Sequence, residues 1–97
     1  MSVRAHRISK IELSDAPSFN LWHDTDEPLC QWLETHTDFY SRLNSDACGV
    51  TEVSVEDLEL AIEALGKKLD THTKKSLLDD IAFAKKNGDT YVQYDVF

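Results

Sequence analysis

Cysteine, proline and glycine are all scarce in this 97-residue chain, with two Cys, two Pro and three Gly. So few Gly and Pro, and no internal repeat, exclude collagen-like and low-complexity architectures. There is no Cys-x-x-Cys pair, so neither a thioredoxin-type motif nor a zinc ribbon is supported. No apolar run approaches the roughly 20 residues of a membrane helix. The opening Met1-Ser2-Val3-Arg4-Ala5-His6-Arg7 lacks the apolar core of a signal peptide. The expectation is therefore a cytoplasmic chain with reduced thiols. Gly-x-Ser-x-Gly, His-Glu-x-x-His, EF-hand loops and phosphate-cradling loops are absent. Gly49, Gly66 and Gly88 stand apart as punctuation.

What is present is ordinary apolar content and an unusual charge distribution. The 41% hydrophobic and 29% charged composition fits one globular domain over residues 1–97 and excludes a wholly disordered chain. Residues 1–10 hold three bases and no acid. Residues 11–63 hold thirteen acids and one base, Arg42, and residues 64–97 hold six lysines and five acids. The regional charges are +3, −12 and +1 within a formal total of −8. A field of that sign opposes direct binding of nucleic acid and of anionic membranes, because phosphate contacts need Lys and Arg. It permits binding to a basic protein, although charge runs are usually just solvated faces.

Residues 3–13 read as a strand with a bulge near Ser9, and Ser14–Ser18 as a turn around Pro17. Phe19–Trp22 reads as a second strand, antiparallel to the first. A helix follows, capped by Thr25 or Asp24, with Pro28 in its first turn. Leu29, Trp32, Leu33, His36, Tyr40 and Leu43 share one stripe that Phe39 widens. Thr35-His36-Thr37-Asp38 is a weak helix former, so residues 27–43 are either one helix or two, Thr37 capping the second. Val50–Val53 predicts a strand. Ser54 and Asp57 form a variant capping box, and Val53 and Leu58 occupy the staple positions. Leu58, Ala61, Ile62 and Leu65 face the core, and Gly66 stops the helix. A last helix starts near Asp70–Thr73. Its core face is Leu77, Leu78, Ile81 and Ala84, extended by Phe83, and Asn87-Gly88 ends it. Thr90–Phe97 is a final strand with Val92, Tyr94 and Val96 inward. The fold class is α+β, with three to four helices on one face of a three- to four-stranded sheet.

Trp22-His23-Asp24-Thr25-Asp26-Glu27 is the densest polar cluster. A metal-dependent hydrolase using His23, Asp24 and Asp26 is one reading, but the spacing matches no template, and acids at a helix N-terminus have an ordinary explanation. His36 reads as a half-buried side chain with one hydrogen bond. His72 needs no special role. His6 with Arg4, Arg7 and Lys10 makes a short basic arm, suited to pair with the acidic middle. Cys30 reads as a buried structural thiol. Cys48 is the more exposed one, in a setting too acidic for a reactive thiolate.

Aromatic residues at positions 19, 22, 32, 39 and 40 read first as core. The sharper reading is Trp22 anchoring a partner, with Asp24, Asp26, Glu27, Glu34 and Asp38 as its rim. The leading functional expectation is a non-catalytic interaction domain, with no cofactor or metal, that binds a basic protein surface as an inhibitor or nucleic-acid mimic. Small size, acidity and missing catalytic motifs are shared, as composition only, with small accessory proteins of phages and mobile elements. A homodimer formed through the C-terminal strand, holding a small ligand, is the alternative from another class.

Overall fold

The computed structural model describes Arg4, Ala5, Arg7 and residues 12–97. Val3, His6 and residues 8–11 of the expected first strand, which include His6 and Lys10 of the basic arm, lie outside the described residues, and its other positions form no strand. Two strands, β1 (Gly49–Ser54) and β2 (Tyr91–Val96), pair antiparallel. Three helices, α1 (Glu27–His36), α2 (Val55–Leu65) and α3 (Thr71–Lys86), complete an α+β fold. Short 3₁₀ turns occupy Asp24–Asp26, Tyr40–Arg42 and Gly66–Lys68. Among the described residues the sheet therefore has two strands, not three or four.

A two-stranded sheet is marginal by itself and holds its shape only against helices. Register decides which face does so. Thr51 lies opposite Tyr94 and Val53 opposite Val92. Thr51 and Val53 are buried, and Val92, Tyr94 and Val96 pack on the core. The alternate face presents Val50, Glu52, Gln93 and Asp95. Leu29 and Leu33 of α1, Leu58 and Ala61 of α2, and Leu77, Ile81 and Ala84 of α3 close over the inner face, joined by Phe39.

The second half of the chain forms where its local signals place it. Ser54 Oγ accepts the Asp57 N–H at 3.0 Å, the forward bond of the capping box. Gly66 ends α2 at φ +51°, a conformation that resists any side chain. Asp70 caps α3 through the N–H groups of His72 and Thr73. The exception is the core face of α3. Leu77, Ile81 and Ala84 recur at i, i+4 and i+7 and are buried, whereas Leu78 and Phe83 lie off that stripe and are exposed, Phe83 at 69%.

The first half departs further. Phe19–Trp22 is a turn, not a strand. Asn20 Oδ1 accepts the Trp22 N–H at 2.9 Å, and Asn20 C=O accepts from His23. Such an Asx turn diverts backbone groups that a ladder would need. Neither Thr25 nor Asp24 caps α1. His23 Nδ1 accepts the Thr25 N–H at 3.2 Å, and the N-cap residue Asp26 makes no side-chain capping bond. Residues 27–43 hold one α-helix followed by a 3₁₀ turn. Thr37 is the joint: its hydroxyl donates to Leu33 C=O at 2.6 Å and accepts the Phe39 N–H at 3.2 Å. That switch sends Phe39 into the core, where its ring meets Phe19, Tyr40 and Tyr94 at centroid distances of 5.8, 5.3 and 6.3 Å.

Candidate partner-binding surface

Trp22 stands 83% exposed on its turn, although indole burial is among the largest gains available to a small domain. Phe19 and Leu21, its neighbours at alternate positions, pack on the core. The Asn20 turn thus splits the segment into an inward pair and an outward indole. Asp24, on the 3₁₀ turn, is exposed. On α1, Glu27, Gln31 and Glu34 are exposed at i, i+4 and i+7, one ridge of the helix, with Gln31 Nε2 donating to Glu27 Oε1 at 3.1 Å. Asp38 is exposed just beyond the helix end.

Asp26 does not belong with these. It is 7% exposed, and both of its oxygens are engaged: Oδ1 accepts the Thr73 hydroxyl at 2.6 Å and Oδ2 the Asn20 N–H at 2.8 Å. It tethers the Trp22 turn to the start of α3 and offers nothing to a partner. Asp26 spends both oxygens on these bonds and His23 Nδ1 accepts the Thr25 N–H, so neither side chain is turned to the other as the hydrolytic reading needs. No group of three His, Cys, Asp or Glu side chains among the described residues is arranged to hold a metal ion.

His36 is exposed rather than half-buried. Its ring stacks on Trp32 at 4.5 Å and 13°, and its Nδ1 lies 3.0 Å from Trp32 C=O and 2.8 Å from Thr35 Oγ1. Trp32 is thereby half-covered, which leaves Trp22 as the free indole. Both thiols are free. Cys30 is buried, and burial pushes its thiol up, opposed by a hydrogen bond with Tyr40. Burial likewise pushes the Tyr40 phenol up. Cys48 closes a loop in which Asn44 Oδ1 accepts the Asp46 and Cys48 N–H groups.

Two open hollows were not legible from any single segment. One of about 380 Å³ lies between the end of α1, β1 and the first turn of α2, and includes Asp38, Arg42, Glu52 and Asp57. Another of about 620 Å³ lies between the outer side of α2 and the α3–β2 connection, and includes Glu56, Leu60, Glu63 and Asp89. Ser54 and Tyr91, directly paired in the sheet register, line both. The spacing Glu56, Glu59, Leu60, Glu63 is the one sequence signal for the larger hollow, an outer helix side with a single leucine among acids.

Among the described residues no helix is long and apolar enough to cross a membrane. No family model, curated protein or solved structure matches the chain.

Proposed function

We propose that this chain is a non-catalytic interaction domain that binds a basic protein surface, with Trp22 as its anchor and Asp24, Glu27, Glu34 and Asp38 as the acidic rim. The observation that carries the reading is the 83% exposed Trp22, followed in the chain by the exposed acidic ridge of α1. A free indole is the side chain most often found as an interface hot spot, and carboxylates around it steer a cationic partner and fix its register. In its sharpest form the ridge is a nucleic-acid mimic, its carboxylates taking the place of phosphates in a basic groove.

The test immobilises the wild-type chain and Trp22→Ala side by side, passes the native host's lysate over both, and elutes in rising salt. A basic protein released from the wild type at moderate salt, and retained at least about tenfold less by Trp22→Ala, is the expected result. Three outcomes overturn the reading: nothing is retained, retention is equal on both, or the partner persists unchanged at about 1 M salt, where screening acts within roughly 3 Å.

A further inference from the structure

The two hollows adjoin at Ser54 and Tyr91, which line both, and together make an acidic furrow. Its acids outnumber its bases. Glu56, Glu59, Glu63 and Asp89 face Lys85 in the larger hollow, and Asp38, Glu52 and Asp57 face Arg42 in the smaller. Both bases are already paired, Lys85 with Glu59 and Arg42 with Glu52, each at 3.3 Å. Asp38, Glu56, Asp57, Glu63 and Asp89 have no ion-pair partner among the described residues. In the larger hollow apolar surface lies between these charges, chiefly Leu60 at 48% exposure and the Tyr91 ring at 50%, whereas the smaller hollow is lined mostly by polar side chains, Thr35, Thr37 and Ser54 among them.

We infer that this furrow is the docking site for a Lys/Arg-rich peptide segment. The inference deepens the interaction reading and rests on it, since Asp38 belongs both to the furrow and to the acidic rim. Charge complementarity selects the occupant. A lysine or arginine side chain lays its aliphatic stem on Leu60 and Tyr91 while its head reaches the carboxylates, and no other common side chain satisfies both surfaces at once. An arginine crossing the midpoint of the furrow stacks on the Tyr91 ring. The indole at Trp22 then anchors the body of the partner, and the furrow takes an extended basic tail.

Fluorescence anisotropy with a labelled peptide of alternating arginine and alanine tests this. Two triple variants remove equal charge from exposed sites: E56Q/E59Q/E63Q in the furrow and D24N/E27Q/E34Q on the ridge. The expected result is low-salt binding by the wild type, a loss of about tenfold or more in the furrow variant, and less than about threefold in the ridge variant. Tyr91→Leu, which keeps the charge, is expected to weaken binding about threefold. Thermal melts of each variant establish that it is folded. Equal losses in the two triple variants, or a larger loss on the ridge, overturn the furrow and leave the interaction reading standing. The same holds if a folded basic protein binds and the peptide does not. If the wild type binds neither, both fall.

Discussion

Residues 49–97 and residues 12–48 hold their shape by different means. The second half closes on itself as strand, helix, helix, strand, with β1 and β2 in register from end to end and each helix capped by a residue immediately before it. The first half has one regular helix and depends on side chains that reach far along the chain. Asp26 bonds Thr73, Thr51 Oγ1 donates to Phe39 C=O at 2.8 Å, and the Phe19 ring meets Tyr94 at 5.2 Å and 68°. Local codes build the second half, and tertiary contacts with it shape the first. The Trp22 anchor and its acidic rim lie on the half that has the fewest local constraints, where a turn is free to present an indole outward, whereas the furrow lies mainly on the second half.

The comparison breaks most visibly at Phe39. Its side chain is fully buried and links the rings of the first half to Tyr94 of β2. Phe39→Ala is expected to cost about 3–5 kcal/mol, since an aromatic cavity in a small core cannot collapse completely. Both tryptophans lie in the first half, at positions 22 and 32. Indole fluorescence therefore reports that half, whereas far-ultraviolet circular dichroism reports mostly α2 and α3. Coincident denaturation curves, shifted together in Phe39→Ala, are expected of one cooperative unit. Two separated transitions would show that residues 49–97 hold alone.

Asp26 sharpens the contrast between neighbouring acids. Asp26→Ala leaves a buried Thr73 hydroxyl and the Asn20 N–H without their acceptor, an expected loss of about 2–3 kcal/mol in urea denaturation. Asp24→Ala, two residues earlier and exposed, is expected to change stability by less than about 0.5 kcal/mol. Thr73→Val in the Asp26→Ala background should cost less than it does in the wild type, because the two side chains share one bond. Independent, additive losses would refute the tether.

These contrasts also explain what was legible in the sequence. The caps at Ser54 and Asp70, the stop at Gly66 and the inward face of β2 follow from residues within a few positions of one another. Burial of Asp26 does not, because its partner is 47 residues away. The strand expected over Phe19–Trp22 has the right alternation, with Phe19 and Leu21 inward, but the Asn20 side chain competes for the backbone and makes a turn. Leu78 and Phe83 look like core by composition, and only the narrowness of the buried stripe of α3 leaves them outside. At the candidate surface, Asp24, Glu27, Glu34 and Asp38 stand exposed as their residue types suggest, whereas Trp22, which reads first as core, is exposed because the Asn20 turn directs it outward. The furrow was hidden because it draws on α1, α2 and β2 together.

Tyr94 offers the smallest effect, read as a slope rather than a single loss. Its ring packs between the halves, and its hydroxyl donates to Asp80 Oδ2 at 2.8 Å. Burial, and then the Asp80 carboxylate beside it, push the phenol far above its ordinary value of 10.0. Below pH 10 the phenol is neutral whether the chain is folded or not, so its contribution is constant. Above pH 10 the unfolded chain releases this proton and the folded chain keeps it, so stability falls as pH rises. The expected slope from this one group is roughly 1 kcal/mol per pH unit. Tyr94→Phe should remove that part of the alkaline loss while costing about 1 kcal/mol at neutral pH for the missing hydrogen bond. The two stability curves should therefore converge as pH rises from 10 towards 11. Curves that stay parallel over that range would mean that the Tyr94 phenol ionises in the folded chain, and that the contact joining the two halves is open to water.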